Sequence, residues 1–166
     1  MATTYEHAPQ PIHDEVAKLV EQYHPRLAEA EVTYLIFMVH APTDDDGKPK
    51  GPALKLHGYP CAATVKILGI KERKAGLPDV RLELDADTWD ERPAAEQRAI
   101  LDDCLTRILV EGEELDSADR PKLKQRKCDR HIEGFDEIIR RHEQAALVAQ
   151  QLREAFRDVG PLFADW

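Results

Sequence analysis

Apolar residues open the chain at helical spacing. Ile12, Val16, Leu19, Val20, Tyr23 and Leu27 fall on one face and predict a helix over Ile12 to Ala30. His24-Pro25 places a kink near its end, because proline disfavours helical geometry in the residue before it. The polar residues 1–11 read as a flexible N-terminal tail. Val32 to Val39 is β-rich and apolar and predicts a buried strand. Ala41 to Pro52 reads as a solvated loop, with Asp44, Asp45 and Asp46 followed by glycines and prolines. Tyr59 to Leu68 predicts a second strand, Ile70 to Pro78 a polar connection, and Val80 to Leu84 a third strand of alternating pattern.

The second half changes period. From Pro93 to Val110, residues Ile100, Leu101, Cys104, Leu105, Ile108 and Leu109 form an apolar stripe, predicting a helix with Pro93 in its first turn. Glu111 to Asp119 is acidic and Lys122 to Arg130 is basic, which together read as an exposed, charge-divided connection. A long final helix is expected over Ile132 to Asp158, ended by Gly160-Pro161. Phe135, Ile138, Ile139, His142, Ala146, Ala149, Leu152 and Phe156 share one of its faces. This order predicts an α+β fold: a short, mostly antiparallel sheet packed by an N-terminal helix, the Pro93–Val110 helix and a long C-terminal helix. Residues 12–166 are expected to form a single domain.

Charge narrows the function classes. The 166 residues carry a formal net charge of -9, which opposes direct binding to nucleic acid or to anionic membranes and suits a basic protein partner. With only 6% aromatic residues, the core must rest on aliphatic side chains. The start has no apolar signal region, and Val32 to Val39 is too short to span a bilayer. Three widely spaced cysteines, Cys61, Cys104 and Cys128, read as reduced thiols of a cytoplasmic protein.

Several short pieces, in order, carry a family resemblance. They are Tyr23-His24-Pro25 with Leu27, then Gly58, Tyr59 and Ala62, then an acidic strand ending at Trp89. After these come Gln97-Arg98-Ala99-Ile100-Leu101-Asp102, the basic run Lys122, Leu123, Lys124 and Arg126, and Ile132-Glu133-Gly134-Phe135. From about Tyr23 to His142 the chain resembles the phage metallopeptidase family, a zincin-like group related in architecture to SprT-type peptidases. The resemblance implies a His-Glu-x-x-His motif after Asp102. Two histidines four apart on a helix share a face and can hold one zinc, and the glutamate acts as general base for zinc-bound water.

The chain departs from that pattern at each such position. Asp103 stands at the first histidine, Cys104 at the general base and Arg107 at the second histidine. The third ligand position falls near Arg130 or His131. A guanidinium has no lone pair to give a metal. Asp103 and Arg107 are instead spaced to form an ion pair across one helical turn, with Arg130 a further positive partner. Cys104, in the middle of the apolar stripe, reads as a small packed hydrophobe.

Other candidate chemistry has plainer alternatives. Cys128 and His131 have the spacing of two ligands on one turn and, with Asp103 or Cys104, would make a rewired metal site; the plainer reading is two residues at a helix start. Cys104 as a nucleophile would need a base such as His131 or His142, although His142 lies on the apolar face of its helix. The basic run Lys122, Lys124, Arg126, Lys127 and Arg130 lacks interleaved aromatics for stacking bases, and neutralisation by the neighbouring acidic run accounts for it. The leading expectation is therefore an inactive metallopeptidase homologue with no resident metal or cofactor. It would act by binding a macromolecular partner, and inhibition of a host defence or nucleic-acid-processing protein is one form of this. A rewired enzyme around Asp103, Cys104, Cys128 and His131 is the second reading. A homo-oligomeric assembly factor joined through the C-terminal helix is the third.

Overall fold

A computed structural model describes residues 2–126. The chain divides into two compact units, Met1–Arg126 and Lys127–Trp166. The long helix expected over Ile132 to Asp158 lies outside the described residues, as do Cys128, Arg130 and His131. The fold of the first unit is α+β, with short, mostly antiparallel sheets and five helices among the described residues.

The central sheet has four strands in the order β1 (Thr4–His7), β2 (Tyr34–His40), β6 (Val80–Asp85) and β5 (Ala63–Ile67). β1 and β5 lie antiparallel to their neighbours, while β2 and β6 run parallel. Residues 4–7, expected to be a loose tail, pair with His40 to Phe37 instead. Tyr5 and His7 rest against Phe37, with ring centroids 6.0 and 5.1 Å away. The polar composition of this strand hid it, because its four residues are exposed at the sheet's edge and show no apolar alternation.

Along β2 and β6 every second residue points to the same side. Ile36, Val80, Leu82 and Leu84 share that side and are fully buried. Two helices supply six more residues of this core. α1 (Gln10–Tyr23) contributes Ile12, Val16 and Leu19. α5 (Ala94–Thr106) contributes Leu101, Cys104 and Leu105. The kink expected at His24-Pro25 is a full break, with α2 (Pro25–Glu29) beginning immediately after it.

The end of α2 is chemically unusual. Glu31 donates its backbone N–H to Ala28 O and Val32 donates to Leu27 O, the paired bonds of a Schellman closure. Such a closure needs a left-handed residue, and Glu31 supplies it at φ 51°. Glycine adopts that conformation freely, whereas a side chain costs roughly 1 kcal/mol or more.

Other expectations shift. The strand expected over Tyr59 to Leu68 is β5 alone, because Tyr59–Pro60 (β4) folds back on Lys55–Leu56 (β3) as a small separate hairpin. The connection Ile70 to Pro78 contains a short helix, α3 (Ile70–Lys74). Another, α4 (Ala86–Trp89), comes after β6, with Asp85 accepting from Asp87 N at its start. The helix expected to reach Val110 stops at Thr106.

Beyond α5 the chain forms a hairpin of β7 (Ile108–Leu115) and β8 (Pro121–Gln125), not an open connection. The acidic and basic runs face each other across it: Lys122 Nζ lies 2.7 Å from Glu114 and Lys124 Nζ 3.4 Å from Glu111. Asp116 closes its turn by accepting from Ala118 N and Arg120 N.

A buried ionic cluster ties this hairpin to the sheet. Asp79 is 0% exposed. Its Oδ2 accepts from Thr33 N at 2.9 Å, Thr33 Oγ1 at 2.8 Å and Arg120 Nη2 at 2.9 Å. Arg73, also buried, donates to Leu68 O and Pro121 O and lies 2.9 Å from Asp116 Oδ2. Tyr34, whose hydroxyl is enclosed nearby, has its pKa pushed up by burial and then by the charge of Asp79.

Removing one side of such a cluster strands the other. Asp79→Ala is expected to lower unfolding free energy by about 3–5 kcal/mol, read from the urea midpoint at constant slope. Asp116 gives a pH signature. Burial alone would raise its pKa, but the N–H groups of Ala118 and Arg120 and the guanidinium of Arg73 hold it below the usual 3.8. A depressed carboxylate stabilises the fold above its unfolded pKa, and that contribution is lost as pH falls through the folded value. Asp116→Asn should therefore flatten the loss of stability below pH 3.8, measured by thermal melts across the acid range.

Candidate functional site

The site begins at α5, whose apolar stripe seats it against the sheet and so fixes which residues face outward. Leu101, Cys104 and Leu105 point into the core, and Asp102, Asp103, Thr106 and Arg107 do not. The helix ends at Arg107, whose backbone N–H bonds back to Asp103 O and Cys104 O at 3.3 Å each. Arg107 O then accepts from Arg126 N, so the strand pairing of the hairpin begins where the helix stops.

Asp103 and Arg107 meet as their spacing predicts. Arg107 Nε and Nη2 lie 2.9 and 2.7 Å from Asp103 Oδ2. Both nitrogens converge on a single oxygen of a carboxylate whose side chain is 62% exposed. Solvent screens such a pair, so it contributes about 0.3–0.5 kcal/mol. It is a surface contact and does not seal a pocket.

Cys104 is 2% exposed, consistent with the small packed hydrophobe expected. Its pKa is pushed up to about 12, first by burial and then by the negative charge of Asp103. Cys61, half-buried, also titrates higher than usual, through burial and the charge of Asp85, in spite of the opposing charge of Arg107. Neither thiol has the electropositive, open setting that makes a thiolate nucleophile. His131 and His142, the candidate bases for Cys104, lie outside the described residues.

These helix positions do not fit zinc. Arg107 offers no lone pair, and two of its nitrogens are committed to Asp103. Cys104 faces the core. Among the described residues no group of three or more His, Cys, Asp or Glu side chains is placed to hold a metal ion. Cys128, Arg130 and His131 cannot be placed against this helix, because they lie outside the described residues.

The structure adds a contact that no motif assigns. His24, at the break between α1 and α2, has Nε2 2.7 Å from Asp102 Oδ1. A carboxylate accepts, so Nε2 is the donor. Both residues belong to the resemblance, in the Tyr23-His24-Pro25 and Leu101-Asp102 pieces, and 78 positions separate them. The bond pins the N-terminal helix pair to the residue just before Asp103. No periodicity signals it, since neither residue lies on an apolar stripe.

The burial of Cys104 can be read chemically. In the native protein it should resist iodoacetamide at pH 8 and be labelled only after denaturation, as read by mass spectrometry of peptides. A thiol with a raised pKa favours the fold in its protonated form. Its stabilising contribution is complete below the usual thiol value of 9.0 and falls away as pH rises towards about 12. Cys104→Ala should flatten part of that alkaline decline.

Among known proteins, the family model described as "Putative phage metallopeptidase" matches residues 3–157. No curated protein and no solved structure matches the chain. No described helix is long and apolar enough to cross a membrane.

Proposed function

Since the chain belongs to the phage metallopeptidase family across residues 3–157, we propose that it is a member that has exchanged zinc chemistry for binding a macromolecular partner. The Asp103–Arg107 ion pair carries this reading: it occupies both histidine positions of the resemblance with groups that neutralise one another. The general-base position adds support. A thiol buried at 2% exposure, with its pKa pushed up to about 12, cannot take a proton from water near neutrality.

Charge indicates the kind of partner. With a net charge of -9 the molecule favours encounter with basic proteins, and with Lys122 and Lys124 paired against Glu114 and Glu111 in the hairpin it has less to offer a phosphate backbone. Occupying a basic host protein, such as a defence or nucleic-acid-processing factor, is the concrete form of the proposal.

Untagged protein purified without chelators should contain well under one equivalent of zinc by inductively coupled plasma mass spectrometry. It should leave a casein substrate intact with added zinc. A full zinc equivalent that disappears on Cys128→Ser or His131→Ala, together with casein cleavage, would overturn the reading in favour of a rewired enzyme.

A further inference from the structure

A groove of about 420 Å³ lies between α2 and the hairpin strand β7, away from the degenerate helix positions. Its floor is partly apolar, from Val110, Leu115 and Pro121, and Leu115 is 58% exposed. Glu29, Glu31, Glu113 and Glu114 line it, against one cation, Arg26. Glu114 is already paired with Lys122. Glu29, Glu31 and Glu113 make no side-chain hydrogen bond or ion pair among the described residues.

Two further features point to a polypeptide occupant. β7 has a strand neighbour on one side only among the described residues, so its other edge has backbone N–H and C=O groups to offer. Its ladder with β8 also breaks between Val110 and Leu115, so the stretch holding Glu113 and Glu114 departs from regular pairing. Glu31, moreover, holds a left-handed position that glycine would fill without strain. A carboxylate kept there against the preference of the backbone is explained if the carboxylate acts outside the fold.

We infer that this groove docks an extended, lysine- or arginine-rich segment of a partner protein, with Glu29, Glu31 and Glu113 receiving its cations and Leu115 an apolar side chain between them. The inference rests on the partner-binding reading and names the surface for it. The two fail separately, since that reading is tested by metal and casein and this one by peptide binding.

The probe is a blocked, fluorescein-labelled octapeptide alternating lysine and valine, monitored by fluorescence polarisation with the full chain. Binding should weaken as salt rises. The triple variant Glu29→Gln, Glu31→Gln, Glu113→Gln should weaken it about tenfold or more. A control triple, Asp45→Asn, Asp46→Asn, Glu91→Gln, removes the same charge elsewhere and should bind as the wild type does. N-methylating alternate peptide amides should weaken binding, because it blocks pairing with the strand edge. Glu31→Gly should raise the melting temperature by about 2–4 °C while weakening binding.

No peptide binding, or equal loss in the two triples, would overturn the inference. So would indifference to N-methylation. A concentration-dependent dimer abolished by the groove triple would put a second copy there instead, and manganese binding abolished by the same triple would make the groove a cation site.

Discussion

Asp79 places a carboxylate where water does not reach it, and much of the first unit is arranged around meeting that demand. A buried carboxylate without partners is costly enough to prevent folding. Here Thr33 supplies two donors from the end of the α2–β2 connection, and Arg120 supplies a third from the hairpin turn. Arg73 of α3 reaches the same hairpin through Asp116 and Pro121 O. One charge cluster thus joins the start of β2, the start of β6, α3 and the β7–β8 turn. The start of β2, the α3–β6 stretch and the hairpin turn are far apart in sequence, and no apolar stripe would have drawn them together.

The hairpin held by this cluster begins where α5 ends. Arg107 closes the helix, accepts from Arg126 N through its carbonyl, and presents its guanidinium to Asp103. Arg107 is therefore both the terminus of α5 and the start of the hairpin. An arginine at the helix end can satisfy a neighbouring carboxylate in solvent without any pocket, as its geometry with Asp103 shows. The His24–Asp102 bond meanwhile pins α5 to the break between α1 and α2, one residue before Asp103. Different residues serve the buried and the exposed sides of this helix: Leu101, Cys104 and Leu105 pack in the core, while Asp103 and Arg107 pair with each other at its surface.

Charge is partitioned between the inside of the hairpin and the groove beside it. Within the hairpin Lys122 and Lys124 of the basic run meet Glu114 and Glu111. Carboxylates without a side-chain partner among the described residues collect beside α2, one of them on a left-handed residue. This local arrangement matters more than the total of -9, because exposed charges separated by more than a Debye length hardly act together.

The sequence by itself determined the family, the α+β class, the strands around Ile36 and Leu82, the helix carrying Leu101 and Leu105, and the pairing of Asp103 with Arg107. Apart from the family, each of these is written either in a period of apolar residues or in a spacing of one helical turn, and both are local. Tertiary structure decided the rest. The exposed strand Thr4–His7 pairs with the edge that β2 offers, and the charged segment after Leu109 is a hairpin whose turn is tied to Arg73 and Asp79 and whose exposed halves pair their charges. Burial of Arg73 and Asp79 could not be read from a polar connection, since each is tolerable inside only once the other and Arg120 have arrived. Local pattern reports how a segment prefers water or core; it is silent on which distant charge will stabilise a buried one.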